Sequence, residues 1–440
     1  MKKELLLVGA GHAHLLTFRN LHRFVALGHR VTVVSPSSYY YYSGTGPGVL
    51  SGIYSPSEGR IAVRRLVELR GAAFIEDRVV AIEPDQGGVV LAGGRKLPFD
   101  IASFNIGSRI PIDGFRTFEG VVVRAKPIEN FVEARRRLTE LLREKRRLSL
   151  VVVGGGPAGL EIAGNMWRLV RSSGTAATIT LIAGGRLMRR FPERLRALAK
   201  ASLEDRGIRI LEDRRVVALE EGFAVLEDGQ RLALDFGMVA SGVQLSPLFQ
   251  EAGLPVDEDL GLRVNEYLQC PACEAIFAGG DCVSFQPEPL AKVGVVAYRQ
   301  NPVLYRNLLA ALSGQGTLEP FRPDPVYSLM FNLGDGTALW WRSSPDALGP
   351  AGPADAGRAA AGPQGRLPRG RPLRDRLPRG RLPRGRPLPR SQPPLDRPKR
   401  RFSLSSRIYL TWKGRVPFLV KNGIDRRFMR SYRRAETRLG

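Results

Sequence analysis

Two stretches of this chain run from a short apolar strand through a glycine-rich turn into a helix, and nothing else in the sequence restricts its fold as tightly. The fuller copy is Leu150-Val151-Val152-Val153-Gly154-Gly155-Gly156-Pro157-Ala158-Gly159-Leu160-Glu161. In such a G-x-G-x-x-G turn the first glycine (Gly154) allows the tight bend. The second (Gly156) admits a pyrophosphate against the backbone, and the third (Gly159) lets helix and strand pack closely. The helix N-terminus then offers unpaired N–H groups to the anion. The other copy is Leu5-Leu6-Leu7-Val8-Gly9-Ala10-Gly11-His12-Ala13-His14, with Leu15, Leu16, Phe18 and Leu21 at helical spacing behind it. His14 stands where the third glycine usually does and reads as a helix-start residue packing on the sheet. His12 sits beside the pyrophosphate position, and its role stays open.

Neither copy carries the acid that holds a ribose 2′-hydroxyl about 20 residues on. The strand Val31–Val34 ends in Ser35-Pro36, and the strand Thr178–Ile182 ends in Ala183-Gly184-Gly185-Arg186. A serine bonds a ribose more weakly. A missing carboxylate removes the repulsion of a 2′-phosphate, and Arg186 attracts one, so NADP fits these residues as well as NAD, and loss of nicotinamide binding stays open. A third element, Ala275-Ile276-Phe277-Ala278-Gly279-Gly280-Asp281-Cys282, is a buried strand ending in Gly-Gly-Asp. Helix-forming Ala291 to Ala297 follows it. Further helices are expected over Ile128–Arg146, where Phe131, Ala134, Leu138 and Leu142 share a face, and over Glu193–Asp205. Strands alternating with helices imply α/β architecture, a parallel sheet covered on both faces.

Charge divides the chain. Lys and Arg outnumber Asp and Glu by 67 to 42, but residues 343–400 hold 14 of those cations against 4 acids, and 401–440 hold 11 against 2. Basicity therefore belongs to the tail, which excludes a nucleic-acid-binding surface spread over the chain. Residues 343–400 also contain 13 of the 32 prolines and three copies of Leu-Pro-Arg-Gly-Arg. With few apolar residues to bury, that segment is expected to be disordered. It lacks the aromatics on which single-stranded nucleic acid stacks, so nucleic acid is not the expected partner. The segment reads as a low-complexity insertion or a reading-frame artefact. Order is expected to return at Ile408–Trp412, followed by a basic amphipathic stretch from Val416 to Arg434. Three cysteines, Cys270, Cys273 and Cys282, make no secreted disulfide scaffold. No apolar run reaches transmembrane length, and the Leu5–Val8 run is too short for a signal peptide. The expected address is the cytoplasm, with contact to a membrane surface as an option.

The order of the three elements resembles the pyridine nucleotide-disulphide oxidoreductase superfamily, flavoproteins with two dinucleotide-binding domains. Finer pieces resemble the type II NADH dehydrogenase branch, and especially the flavoprotein domain fused ahead of selenophosphate synthetase in some bacteria. These are Gly9 to His14, Ser35-Pro36, Tyr42-Ser43-Gly44, Pro47-Gly48, Lys126-Pro127-Ile128, Ala297-Tyr298-Arg299-Gln300 and Ile424 to Met429. The resemblance implies two Rossmann-like three-layer domains, the second inserted in the first, with a small C-terminal α+β region. The first domain would comprise 1–112 and 243–316, the second 113–242. The C-terminal region would comprise 317–342 and 401–440, interrupted by 343–400. FAD would lie on Gly9, Gly11, His12, Ala13, Ser35, Val80 (main chain to adenine), Gly107, Gly280, Asp281 (ribityl chain) and Gly294 (helix start at the flavin). NAD(P)H would lie on Gly154, Gly156, Gly159 and Arg186.

What is missing narrows the chemistry. Residues 36–70 contain no cysteine, so the redox pair of the disulphide reductases is absent. None precedes Cys270, so the pattern of sulphide:quinone reductases is absent too. Cys270-Pro271-Ala272-Cys273 reads as a structural turn and Cys282 as a packing residue; no metal site is expected. The expected activity is hydride transfer from NAD(P)H to FAD, then electron transfer to an acceptor, plausibly a quinone. Glu161 would stand beside the nicotinamide or merely complement the helix dipole. Lys292 would favour anionic reduced flavin, and Gln300 would lie near the acceptor or be a solvated helix residue. Two rivals remain: a flavoprotein that no longer uses nicotinamide, and a non-catalytic FAD-binding protein with a basic interaction tail. The oligomeric state is not encoded in any of these features.

Overall fold

The structure, a computed structural model of the chain, describes residues 2–110, 121–342 and 411–437. The expected disorder of 343–400 lies outside the described residues. Leu- and Val-rich runs form the centre of the first sheet. Its strands run in the order Gln269–Cys270, Cys273–Ala278, Ile101–Phe104, Glu4–Val8, Arg30–Ser35, Ala73–Glu76. All neighbouring pairs are parallel except the terminal hairpin Gln269–Cys270/Cys273–Ala278. Leu5, Leu6, Leu7, Phe104 and Phe277 are at most 1 % exposed, as a sheet covered on both faces requires.

The second sheet is wholly parallel, in the order Val122–Arg124, Phe236–Val239, Arg147–Val153, Ala176–Ile182, Arg209–Leu211. It is inserted in the chain between the strand Ile101–Phe104 of the first sheet and that sheet's return hairpin Gln269–Cys270/Cys273–Ala278, so the chain leaves one Rossmann-like domain, builds another and comes back. Each domain also carries a small antiparallel sheet of three strands, Val79–Glu83/Gly88–Leu91/Lys96–Pro98 in one and Val216–Glu220/Phe223–Leu226/Arg231–Ala233 in the other.

Helices follow the expected spacing. Asn130–Glu144 buries Phe131, Ala134, Leu138 and Leu142, and Glu193–Glu204 buries Leu195, Ala199 and Leu203. The helix behind the first turn differs from expectation. It opens as a 3-10 turn at His12–His14 and splits into Leu15–Arg19 and Leu21–Ala26. Asn20 breaks it, with φ −113° and ψ 17°, while its Nδ2 donates to the Leu16 carbonyl.

The C-terminal region is an antiparallel sheet, Ser328–Asn332, Ala338–Arg342 and Thr411–Gly414, followed by the helix Arg415–Thr437. Its turn docks on the helix Pro157–Ser173: a Cβ on Gly164 would stand 2.2 Å from the Leu333 carbonyl oxygen, and one on Gly334 2.1 Å from that of Gly164. The buried Trp341 packs edge-on against Phe191 of the second domain. Trp341 pairs directly with Thr411, so the two strands flanking 343–410 already form a hairpin. Deleting 343–400 should therefore leave unfolding temperature and flavin content unchanged, since residues 401–410 suffice to close the turn and shortening a loop costs little entropy. Thermal unfolding and flavin absorbance of the deletion protein check this.

Candidate functional site

The first glycine turn is built around Asn105, the residue that follows the strand Ile101–Phe104. A Cβ on Gly9 (φ +87°) would lie 2.4 Å from the Asn105 carbonyl oxygen, and one on Gly11 2.3 Å from its Oδ1. A Cβ on Gly280 (φ +81°) would lie 2.6 Å from the same Oδ1. Any side chain at these positions would displace the amide. Asn105 is 4 % exposed, and its Nδ2 is buried without a partner. A buried donor left open beside converging strand ends is what a bound acceptor completes.

His14 replaces the third glycine by bonding rather than by being small: Nδ1 meets the Gly9 carbonyl at 2.8 Å and Nε2 the Ser103 hydroxyl at 2.9 Å. Burial pushes its pKa down to about 4, so the ring is neutral and structural. Ala13 is buried beside it. The His12 ring instead points across the site, 2.8–2.9 Å from the Tyr40 hydroxyl, and burial lowers its pKa to about 4 against the opposing pull of Asp281. Asn301 ties the turn to the helix Gly294–Ser313, donating to the His12 carbonyl at 2.9 Å and accepting from the Leu16 N–H at 2.8 Å.

Asp281 ends the return strand. Its Oδ2 accepts from the Ser108 hydroxyl (2.8 Å) and from Lys126 Nζ (2.9 Å). Burial alone would raise its pKa, but the Lys126 charge and these hydrogen bonds leave it below the usual carboxylate range. Lys292 Nζ donates to the Asp281 main-chain carbonyl at 3.2 Å. Gln300 is 1 % exposed, and its Oε1 accepts the Gly280 N–H at 2.6 Å, so it braces the Gly-Gly-Asp turn. Gly294 opens the long helix with its α-carbon facing His12: a Cβ there would be 3.3 Å from Nε2. Gly107 (φ +67°) faces open space. Ser35 is buried at the end of its strand, and Val80 lies where the ladder shifts register between Val79 and Ala81, leaving it without a paired residue.

The second turn shows the same physics. Gly154 has φ +131°, and a Cβ on Gly159 would lie 1.8 Å from the Gly154 carbonyl oxygen; around Gly156 nothing comes within 4 Å of such a Cβ. Two glycines are thus demanded by close backbone approach and one leaves room. Arg186 is exposed just past the strand end. Glu212, which follows the neighbouring strand Arg209–Leu211, is committed elsewhere, accepting from the Leu187 N–H (2.6 Å) and Lys200 Nζ (2.7 Å).

Sequence reasoning missed the seam between the domains. Glu161 Oε1 accepts the Asn332 N–H at 2.7 Å, and burial raises its pKa to about 7 against the charge of Lys421. Lys421 is 5 % exposed, donating to the Gly44 carbonyl (2.6 Å) and to Asp425 Oδ2 (2.8 Å). Tyr54 also donates to Asp425 (3.0 Å). Tyr42 bridges the two halves of the site: its ring centroid is 5.5 Å from that of His12, and its hydroxyl bonds Asp425. The Phe428 ring lies 4.7 Å from that of Tyr42, tilted by 34°, and Tyr298 meets Phe428 edge-on at 5.8 Å. Cys282 directly follows Asp281 but turns into the core. Cys282 is buried against the Phe104 and Gly279 carbonyls, its thiol pushed up to about 11.

A profile of the family described as pyridine nucleotide-disulphide oxidoreductase matches residues 3–300. The chain belongs to that family. Among curated relatives, the type II NADH:quinone oxidoreductase of Staphylococcus aureus is 26 % identical over 346 residues, covering 72 % of this chain and 85 % of that protein. The fold is shared with the sulfide:quinone oxidoreductase of Aquifex aeolicus (TM-score 0.72, 15 % identity, 98 % of this chain and 92 % of that one). It is also shared with NDH2 of Plasmodium falciparum in complex with NADH (TM-score 0.67, 14 % identity, 77 % and 90 %). Membership makes the chain a flavin- and nicotinamide-dependent oxidoreductase, similar in sequence to type II NADH:quinone oxidoreductases. The residues present fit a flavin dinucleotide: the Asn105 cradle offers an unpartnered donor, and Asp281 supplies an ionised acceptor. Lys126→Met should leave the Asp281 carboxylate without its cation. The expected cost is about 1–3 kcal/mol of stability, readable as a lower denaturation midpoint, with weaker flavin retention on gel filtration.

Proposed function

We propose that the chain oxidises NAD(P)H with FAD and passes the electrons to a quinone. The observation that carries this reading is the seam at Tyr42-Ser43-Gly44, where the Asn105–Asp281 cradle of one domain meets Glu161 at the mouth of the other and Lys421 of the last helix. A flavin bound there supplies hydride acceptance from nicotinamide and onward electron transfer. The protein's part is placement and charge. The Gly9 and Gly154 turns each present a helix N-terminus to a pyrophosphate. Asp281 would supply an acceptor for hydroxyl groups of the cofactor, and the N-terminus of Gly294–Ser313 would favour negative charge on it. Lys292 and Gln300 act on the reaction by holding the Gly280-Asp281 turn.

Glu161 is the proton-holding group. With its pKa near 7 and Oε1 engaged by Asn332, Oε2 carries the proton below neutrality and is free to release it above. Quinone reduction consumes protons, so turnover should fall as pH rises through about 7, and Glu161→Gln should flatten that limb and lower kcat by about 10²-fold. Steady-state rates from pH 5.5 to 8.5 test this. A wild-type profile flat through pH 7 would remove the assignment. The donor step has its own test: NADH or NADPH added anaerobically should bleach the flavin absorption band, and a protein bleached by neither supports the reading without nicotinamide.

NADPH is the better donor in this reading, because the strand end at Ala183 to Arg186 presents no free carboxylate and one exposed guanidinium. Arg186→Ala should weaken NADPH by about 1.5–3 kcal/mol and leave NADH nearly unchanged. Binding of each nucleotide by tryptophan fluorescence checks it, and equal loss for both contradicts it.

The quinone is reached at a membrane surface. Among the described residues no helix is long and apolar enough to cross a membrane. The helix Arg415–Thr437, however, presents Val416, Leu419, Val420 and Ile424 to solvent, with Trp412 just before it, all 48–65 % exposed. Arg427 and Arg434, both exposed, continue the same face. Apolar side chains entering the interface and arginines worth about 1 kcal/mol each at anionic head groups would hold the helix there. Val416→Glu with Leu419→Glu should abolish flotation with anionic vesicles at low salt, and unchanged flotation contradicts the contact.

A further inference from the structure

Beside the seam lies a hollow that the redox chemistry does not use. The 45–58 segment forms one wall through Thr45, Tyr54 and Glu58, and the last helix forms the other. Arg426, Arg430 and Arg433 line it at i, i+4 and i+7, the spacing that stacks side chains along one helical stripe. Three guanidinium groups on one stripe repel unless counter-charges face them, and the acids here are largely spoken for. Asp425, also in the wall, accepts from Lys421 and Tyr54 through Oδ2. Glu58 Oε2 accepts the Ser55 N–H (2.9 Å) and hydroxyl (3.1 Å), while Oε1 makes only a long ion pair with Arg426 Nε at 3.9 Å, too far for a hydrogen bond, and one carboxylate faces three guanidinium groups.

Neither Arg430 nor Arg433 forms a hydrogen bond or ion pair among the described residues, and Arg433 Nε is buried without a partner. A buried guanidinium N–H left open is costly, and an arriving oxygen relieves it. Arg426 is steadied from behind by the Tyr54 ring, 5.9 Å from its guanidinium carbon. Planar forks fixed on one wall match the tetrahedral oxygens of a phosphate group better than they match a point anion such as chloride.

We propose that Arg426, Arg430 and Arg433 form a seat for a phosphate oxyanion. The seat does not depend on the redox reading, since none of the three arginines belongs to the cradle or to the Glu161 cluster. Two sources carry the same group: a free phosphate or small phosphorylated molecule, and the headgroup of a phospholipid under the exposed face of the helix.

The test is calorimetric titration of inorganic phosphate into the flavin-loaded full chain at constant ionic strength set with NaCl. Saturable binding is expected. Arg430→Gln and Arg433→Gln should each weaken it about tenfold or more, Glu58→Gln should tighten it by removing the competing carboxylate, and Arg427→Gln, on the same helix outside the hollow, should leave it unchanged. Absence of saturable binding to the wild type overturns the proposal, as does equal weakening by Arg427→Gln, which would reduce the effect to general charge. Vesicles of phosphatidylglycerol in phosphatidylcholine then separate the sources. Release of the protein by inorganic phosphate identifies a lipid headgroup as occupant. Vesicle binding, or its absence, that ignores phosphate identifies a soluble one, and the seat stands in both cases. NAD(P)H bleaching should be unaffected in all four variants, so a failed seat and a failed redox reading remain distinguishable.

Discussion

Backbone meets backbone at Asn105 more closely than any side chain allows, and the first domain is arranged around that contact. The strand ends of Glu4–Val8, Ile101–Phe104 and Cys273–Ala278 all converge there, and Gly9, Gly11 and Gly280 exist as glycines because the asparagine occupies the space their side chains would need. The return strand is the last to join, some 170 residues after Ile101–Phe104. Its pairing with Ile101–Phe104 brings Gly280 and Asp281 to the turn made by residues 9–11. A polar amide held in that position with its Nδ2 unpaired is an expense that a soluble fold normally avoids. The cradle makes physical sense as a binding surface and little sense as a core.

The second half of the site depends on a different kind of contact. Gly164 and Gly334 let the C-terminal turn sit directly on the helix Pro157–Ser173, which delivers the Asn332 N–H to Glu161. The last helix then crosses the seam and buries Lys421 and Asp425 as an ion pair whose remaining valences are met by the Gly44 carbonyl and the Tyr54 hydroxyl. Burying two charges is tolerable only when both are so bonded. The resulting field is what leaves Glu161 poised between protonation states, because desolvation raises its pKa while Lys421 pulls it back.

The parts legible in the sequence were those whose signal is local. Strand–glycine turn–helix patterns at Gly9 and Gly154 and the Gly-Gly-Asp ending at Asp281 announce themselves within a dozen residues, and so do the two-layered insertions of helices between strands. The amphipathic pattern from Val416 was legible too, extending as a helix from Arg415 to Thr437. What could not be read was convergence. Asn105 lies in the piece Phe99 to Ser108 that resembles a domain-linking segment, with nothing local to mark the asparagine itself, and Lys421 lies some 260 residues beyond Glu161 on the far side of a Pro/Arg-rich segment. Gln300 illustrates the same limit: its type and helix suit an acceptor site, yet only the fold shows its amide oxygen turned to the Gly280 N–H. His14 shows how a missing glycine can be made good, by a ring that bonds the Gly9 carbonyl in the turn and Ser103 on the neighbouring strand. Lys126 carries a partial signal: it opens the Lys126-Pro127-Ile128 piece ahead of a helix, but only the fold shows its Nζ at Asp281.

The account rests on the Asn105 cradle being a flavin site, and the isosteric change Asn105→Leu tests that directly. The leucine fills the same space but removes the open donor and the Oδ1 acceptor that faces Gly11 and Gly280. Purified under identical conditions, the variant should keep the wild-type far-ultraviolet circular dichroism and should bind added FAD at least about tenfold more weakly, as expected for loss of a hydrogen bond to a charged or strongly polar group. A folded Asn105→Leu protein that retains FAD with wild-type affinity would contradict the assignment.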